Sequence, residues 1–169
     1  MNYRIVKITG MKLIGFQKVF SMENSYEEIP KYWTEICMKY MDNVFAGNPP
    51  ANPCEKAVMD NCIGEYGVCI DDLGMGKFRY LIAGRYTGGE IPEGMILYEF
   101  PMGEWAVFDC YGPMPEALQS VNTKIYQEWL PGNPDYMIAG NSTVEWYDST
   151  GDQTAPDYHS AIWIPVKRK

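Results

Sequence analysis

The sequence predicts an α+β domain in which two strand–helix–strand–strand units form one curved antiparallel sheet, with two main helices on one face and a central cleft. Three observations support this fold class. Short β-rich runs alternate with turn residues, each half carries one amphipathic helical pattern, and the two halves can be laid over one another. A length of 169 residues is typical of a single domain. We therefore expect one domain over residues 1–169, built from pseudo-repeats over about residues 1–90 and 91–169.

The first half contains four predicted strands and one long helix. The strands cover residues 3–8, 12–20, 63–70 and 77–87, and the helix covers residues 25–41. Ile29, Trp33 and Ile36 fall at helical spacing on one face of that helix. Ser25 followed by Glu28 resembles a capping box at its start. The long connection over residues 42–61 is rich in proline and asparagine, and such connections are uncommon unless they fold locally or cover a site.

The second half repeats the same order of elements. Its predicted strands cover residues 95–100, 104–111, 142–148 and 158–166, its helix covers residues 115–130, and a basic tail follows at residues 167–169. Leu118, Val121 and Trp129 form the apolar stripe of the helix. Superposing the halves makes Glu65 the counterpart of Glu145.

Composition excludes several classes of function. The net charge of -8 disfavours contact with a phosphate backbone, so we expect no direct nucleic-acid binding. No apolar run is long enough for a signal peptide or a membrane span. The five cysteines are scattered and contain no CxxC pair, which favours reduced thiols and a cytoplasmic location over a disulfide frame or a zinc site. Neither a cluster of metal-ligating residues nor a phosphate-binding glycine loop is present in the sequence, so we expect no metal and no cofactor.

The strand over residues 142–148 carries the most informative residue. Because side chains alternate along a strand, Thr143, Glu145 and Tyr147 share one face, while Val144 and Trp146 share the other. A carboxylate among aromatic residues either points into water from an edge strand or lies in a desolvated cleft, where its pKa rises and it seeks a cation or a donor. Position alone leaves both interpretations open.

Four motifs, in this order and at these distances, resemble a known family. They are residues 104–113 (EWAVFDCYGP), 128–131 (EWLP), 144–148 (VEWYD) and 162–167 (IWIPVK). Together they resemble the GyrI-like (gyrase-inhibitor-like) effector-binding domain, and the resemblance covers nearly the whole chain. This domain occurs alone and as the drug-sensing module of AraC-type and MerR-type multidrug regulators.

The resemblance implies an aromatic pocket in which a buried glutamate meets lipophilic cations, and Glu145 stands at the matching position. The expected partner is therefore a lipophilic or cationic aromatic small molecule. The candidate ligand-binding residues are Glu145, Trp105, Phe108, Tyr147, Tyr66, Tyr80 and Trp163. No segment is left for a DNA-binding helix-turn-helix, so we expect the protein to sequester a ligand, to act on a protein partner or as a dimer, or to do chemistry.

Chemistry is the main alternative. Some stand-alone relatives hydrolyse strained cyclopropane-containing toxins, and the resemblance to them implies a glutamate and a tyrosine in the same cleft. Glu145 would activate water, and Tyr111, Tyr147 or Tyr66 would stabilise the developing oxyanion. A protein-interaction role is the third possibility, although the acidic residues form no block.

Other aromatic and titratable residues are expected to be structural. Trp33 and Trp129 lie on apolar helix stripes, which predicts core positions. Trp146 points away from Glu145 on a regular strand. Glu65 is expected at the surface, and His159, the only histidine, is expected to be exposed.

Overall fold

The computed structural model describes residues 2–169, and over this range the chain forms an antiparallel sheet of nine strands with three helices. The strands are β1 (Tyr3–Ile8), β2 (Lys12–Ser21), β3 (Tyr66–Gly74), β4 (Lys77–Arg85), β5 (Met95–Glu99), β6 (Gly103–Tyr111), β7 (Tyr136–Ile138), β8 (Ser142–Tyr147) and β9 (His159–Arg168). The helices are α1 (Ser25–Met41), α2 (Pro53–Asp60) and α3 (Glu116–Lys124), and α3 continues through a π-helical turn (Ile125–Trp129) and a last turn (Leu130–Gly132). The predicted α+β class is confirmed.

The strand order places the two halves of the chain side by side. It runs β1-β6-β9-β8-β3-β4-β2-β5, with β7 paired to β9, and every pairing is antiparallel. Strands β8 and β3 therefore meet in the middle, one from each half. The strand order is symmetric about its centre. Strand β1 at one edge corresponds to β5 at the other, and β6 corresponds to β2.

The sheet is strongly curved. Strand β1 lies at one edge and β2 lies next to the opposite edge, yet only residues 9–11 separate them along the chain. Three residues reach about 10 Å, so the two edges must approach each other. The backbone N–H of Phe100 donates to the carbonyl of Met11 at 2.8 Å, where they meet. One apolar cluster, including Phe100, Trp105 and Val144, fills the concave face, and α1 and α3 pack over the convex face.

Local differences from the sequence predictions have simple causes. Asn24 precedes α1 and no side chain caps that helix, so the capping box predicted from Ser25 and Glu28 is wrong. The basic tail is also not free: Lys167 and Arg168 belong to β9 and pair with β7, a three-residue strand too short to show alternation. The proline-rich connection does fold locally, because α2 begins at Pro53 and is capped by Asn52, whose side chain accepts from the Glu55 N–H at 2.9 Å.

All five cysteines are free thiols. Within the described part of the chain, no helix combines the length and the apolar character that crossing a membrane requires.

Candidate functional site

A cleft of about 1160 Å³ opens between α1 and α3, above the central strands β3 and β8. Trp33 from α1, Leu118 from α3, and Glu145 and Tyr147 from β8 all line it. A volume of this order accommodates a small-molecule ligand of drug size. The cleft therefore lies at the meeting point of the two halves of the fold.

Polar contacts between the two helices close one side of the cleft. The side chain of Asn122 on α3 donates to the Tyr26 hydroxyl of α1 at 3.0 Å, and the Gln119 amide donates to the Tyr26 carbonyl at 3.2 Å. All three residues line the cleft. These bonds fix the spacing of the helices at this end without filling the space beneath them.

Glu145 lies at the centre of the cleft floor. It stands opposite Gly67 in the β8–β3 register. The Tyr80 hydroxyl on β4 donates to Glu145 Oε1 at 2.5 Å, and Trp33 Nε1–H donates to the Tyr80 hydroxyl at 2.8 Å. This chain of donors runs from α1 through β4 to β8, so the carboxylate is held in one orientation.

Gly67 creates the space for this arrangement. A Cβ at this position would overlap the Tyr80 hydroxyl and would lie 2.5 Å from Glu145 Oε1. Any side chain larger than hydrogen would therefore displace the carboxylate or its donor. The glycine is required here by close approach and not by a positive φ angle.

Burial determines the protonation behaviour of this group. It raises the pKa of Glu145, and hydrogen bonding from the Tyr80 and Tyr147 hydroxyls acts in the opposite direction. Burial and the nearby Glu145 charge raise the pKa of both tyrosines well above the ordinary value. Both hydroxyls therefore stay protonated at neutral pH and remain available as donors.

The charges on the cleft wall have one sign. Glu65, Asp71 and Glu145 line it, and no lysine, arginine or histidine of residues 2–169 does. None of the ion pairs formed within that range includes Glu145. A carboxylate removed from water without a cationic partner is costly, so the electrostatics of the cleft lining favour a positive charge beside Glu145.

The remaining lining is apolar and adaptable. Five of the eleven methionines line the cleft: Met22, Met38, Met41, Met59 and Met114. Unbranched thioether side chains change rotamer readily and adapt to ligands of different shape. Such a wall favours tolerance of ligand shape over strict selectivity.

Trp33 is the residue that sequence reasoning missed. Its ring packs edge-on against Tyr147 at a centroid distance of 5.0 Å, and it lines the cleft while also contacting the apolar clusters beneath both helices. Helical spacing predicts which face of α1 points inward, but a core side chain and a cleft side chain share that face. Phe78 of β4, which shares a face with Tyr80, also lines the cleft.

Three of the predicted ligand-binding residues lie on the wrong face of the sheet. Tyr66, Trp105 and Trp163 pack in or against the concave cluster, opposite Glu145. The Tyr66 hydroxyl accepts a bond from Arg85 Nη2 at 3.0 Å, and Trp105 Nε1 donates to the Pro101 carbonyl at 3.1 Å. Their assignment to the cleft is wrong. Side chains alternate along a strand, and the register turns the residues adjacent to them in sequence towards the convex face, so these three point to the concave face.

Phe108 and Tyr111 are also not at the cleft. Phe108 faces the helices but is completely buried beneath α3, where its ring meets Trp129 at 4.9 Å. Tyr111 is 65% exposed, on the face opposite Glu145, and stacks on His159 at 4.7 Å. A catalytic role for Tyr111 together with Glu145 is therefore wrong. His159 itself is partly buried, contrary to expectation, and its Nε2 bonds Asp109 Oδ1 at 2.8 Å.

Of the predicted site residues, Glu145, Tyr147 and Tyr80 are brought together. Tyr80 is fully buried beneath the cleft and acts through its bond to Glu145, while the other two line the cleft directly. Glu65 is only partly exposed: it lines one end of the cleft and accepts a bond from Trp146 Nε1 at 3.0 Å.

The buried carboxylate should destabilise the fold as pH rises. Folding raises the pKa of Glu145, so the carboxyl group ionises at lower pH in the unfolded chain than in the folded protein. The free energy of unfolding therefore falls as pH rises from about 4.5, the ordinary pKa, to the raised pKa of the folded state. We expect Glu145→Gln to be at least as stable as wild type at pH 7, with an advantage that shrinks as pH falls towards 4.5. Melting temperatures of both proteins across this pH range measure the effect. A pH-independent difference would contradict it.

Comparison with known proteins agrees with the fold. The fold is that of the GyrI-like effector-binding domains. Residues 4–166 match the family model of Cass2, the integron-associated effector binding protein, and the chain belongs to this family. The sequence resemblance is thereby confirmed. No curated protein matches the chain.

Three solved structures share the fold at low sequence identity. SAV2435, solved bound to tetraphenylphosphonium, is 23% identical, with a TM-score of 0.75 over 99% of this chain and 94% of that chain. The integron cassette protein VCH_CASS2 from the mobile metagenome of Vibrio cholerae is 16% identical, with a TM-score of 0.66 over 98% and 95%. The C-terminal domain of EcmrR is 15% identical, with a TM-score of 0.62 over 99% and 98%.

Proposed function

We propose that this protein binds lipophilic aromatic cations in the cleft between α1 and α3, with Glu145 as the charge partner. The observation that carries the proposal is the charge of the cleft wall. Glu65, Asp71 and Glu145 line it, and no basic side chain of residues 2–169 does. The hydrogen bond to the central carboxylate, Glu145, comes from a hydroxyl group, which carries no charge. A ligand that supplies the missing positive charge completes the site.

The chemistry favours a delocalised organic cation over a metal ion or an ammonium ion. A large cation with its charge spread over aromatic rings is weakly hydrated and loses little on entering an apolar cleft. Trp33 and Tyr147 present aromatic surface beside the carboxylate, and a well-placed cation–π contact contributes roughly 0.5–2 kcal/mol. Methionines on the wall adapt to the remaining surface of the ligand.

Tetraphenylphosphonium is the probe of choice, since SAV2435 was solved with that cation and shares this fold. Isothermal titration calorimetry with tetraphenylphosphonium tests the proposal directly. Triphenylphosphine oxide, which is aromatic and neutral, is the matched control ligand. Tighter binding of the neutral compound than of the cation would overturn the proposal.

Cation affinity should rise with pH. The cation binds the ionised carboxylate, and burial raises the pKa of Glu145, so below that raised value each binding event must release a proton. We expect affinity to increase as pH rises towards the raised pKa and to level off above it, with proton release detected in buffers of different ionisation enthalpy. Affinity for triphenylphosphine oxide should not rise over this range, because that ligand carries no positive charge. A pH-independent affinity for the cation would contradict the role of Glu145.

One observation favours hydrolysis as a second candidate function. A buried carboxyl group with a raised pKa beside two tyrosine hydroxyls is also the arrangement of a general acid or base. In this reading Glu145 activates water and Tyr147 stabilises the developing oxyanion of a strained ring. Incubation with cyclopropane-containing electrophiles, followed by mass spectrometry, distinguishes the two. A product heavier by one water, formed over many turnovers, would establish an enzyme, and unchanged ligand would leave binding alone.

A further inference from the structure

We propose that the cleft holds a second cation subsite at Asp71, and that the protein prefers aromatic dications whose two charges lie roughly 13 Å apart over monocations of the same kind. This inference rests on the proposed binding of cations at Glu145. It adds a ligand class, elongated molecules with an aromatic cation at each end.

The register of the central strands fixes the distance between the two subsites. Glu145 of β8 stands opposite Gly67 of β3, and the backbone N–H of Asp71 donates to the Asn141 carbonyl at 2.8 Å. The second contact therefore lies four residues from the first along both segments, from Gly67 to Asp71 and from Glu145 to Asn141. At about 3.3 Å per residue, the backbone positions of Glu145 and Asp71 are roughly 13 Å apart along the central strands, and both residues line the same cleft. Alternation places Gly67, Cys69 and Asp71 on the same face, and Cys69 and Asp71 both line the cleft.

Aromatic residues accompany each carboxylate. Glu145 has Trp33 and Tyr147 beside it, while the end of the cleft that holds Asp71 has Tyr126 from the π-helical turn after α3. The Tyr126 hydroxyl lies 3.2 Å from Thr143 Oγ1, which places its ring over β8 between the two acidic positions. Single π-helical turns are often found at functional sites, where the extra residue redirects a side chain. Both subsites therefore combine a carboxylate with an aromatic surface, which is what an aromatic cation requires.

Asp71 is available for a ligand in a way that Glu65 is not. Within residues 2–169 the Asp71 carboxylate forms no ion pair and no side-chain hydrogen bond. The Glu65 carboxylate already accepts from Trp146 Nε1 at 3.0 Å. Asp71 is exposed at the mouth of the cleft, so its carboxylate is hydrated. A cation there gains less than at the buried Glu145, which makes Asp71 the weaker of the two subsites.

Linking two cations turns the second contact into an intramolecular one. Once the first charge sits at Glu145, the linker holds the second charge near Asp71 at a high effective concentration, provided that its length matches the span. A linker that is too short cannot bring the second charge to Asp71. A linker that is much too long lowers the effective concentration of the second charge there. Affinity should therefore pass through a maximum as the linker grows.

The test uses alkanes that carry a pyridinium ring at each end, in a series with charge separations shorter than, equal to and longer than roughly 13 Å. Monopyridinium alkanes of the same chain length are the paired controls. Wild-type protein should bind the matched dication about fivefold more tightly than its monocation control, with a smaller ratio at both shorter and longer lengths. In Asp71→Asn the ratio should fall to about twofold at every length, which is the statistical value for two identical ends.

The matched control variant is Asp72→Asn. Asp72 is the next residue along β3 but pairs with Arg79 at 2.6 Å, and it does not line the cleft. Asp72→Asn also removes one negative charge, and this variant should keep the affinity maximum at the matched linker length. Tetraphenylphosphonium separates the two proposals, since it carries a single charge and its binding to wild type tests the Glu145 subsite without a second one. If tetraphenylphosphonium binds through Glu145 but wild type shows no length optimum, or Asp71→Asn retains it, the second subsite is refuted alone. If no cation binds the folded wild-type protein, both proposals fail.

Discussion

We expect Glu145→Gln to lower the affinity for tetraphenylphosphonium by about 30- to 150-fold, which corresponds to about 2–3 kcal/mol. The amide has nearly the same shape as the carboxylate and still offers an oxygen to the Tyr80 hydroxyl. The substitution therefore removes the charge while keeping the hydrogen bond that positions the side chain. Loss of a charge pair in a desolvated site is the largest single effect that the cleft geometry predicts. Calorimetric titration of both proteins measures it.

Two controls make that experiment specific. Triphenylphosphine oxide should bind Glu145→Gln at least as well as it binds wild type, because the neutral ligand has no charge for the carboxylate to pair with and its phosphoryl oxygen can accept a hydrogen bond from the new amide. Glu65→Gln removes a second acidic residue of the cleft, one already bonded to Trp146, and should lose much less cation affinity than Glu145→Gln. Equal losses for the cation and the neutral ligand in Glu145→Gln would refute charge pairing and would leave Glu145 a structural residue.

The second large effect is expected at Gly67. The added methyl group of Gly67→Ala would overlap the Tyr80 hydroxyl and approach Glu145 Oε1 to 2.5 Å, so both side chains must move. Overpacking of a filled position typically costs about 1–3 kcal/mol, and we expect a loss of stability in this range. Tetraphenylphosphonium binding should weaken as well, because the displaced carboxylate no longer faces the cleft with its donors in place. Urea denaturation and calorimetry measure the two losses separately.

Gly140→Ala is the matched control for Gly67→Ala. Gly140 also lines the cleft, but a Cβ there would meet Pro165 at 3.5 Å, an ordinary van der Waals contact. This variant should keep both its stability and its cation affinity. If Gly67→Ala keeps the stability and the cation affinity of wild type, the hydrogen-bonded chain around Glu145 tolerates displacement, contrary to what the geometry predicts.

The sequence alone predicts much of the fold and the strand face on which Glu145 lies. The predicted helix over residues 25–41 coincides with α1, because its apolar stripe has a clear period of 3.6 residues. Alternation along residues 142–148 placed Thr143, Glu145 and Tyr147 on one face, and all three line the cleft. These are local properties of the backbone and need no knowledge of distant contacts. The family resemblance implies that Glu145 is the charged residue of that face which meets a ligand.

The tertiary structure decided which aromatic residues surround Glu145. Alternation divides every strand into two faces, but it does not say which face of a distant strand turns towards the cleft. The register pairs Gly67 with Glu145 and so sends Tyr66 to the concave cluster, where Trp105 and Trp163 also pack. A shift of one residue would have exchanged these faces. Long-range strand pairing and the curvature of the sheet therefore determine the cleft wall, and neither is encoded in any local pattern of the sequence.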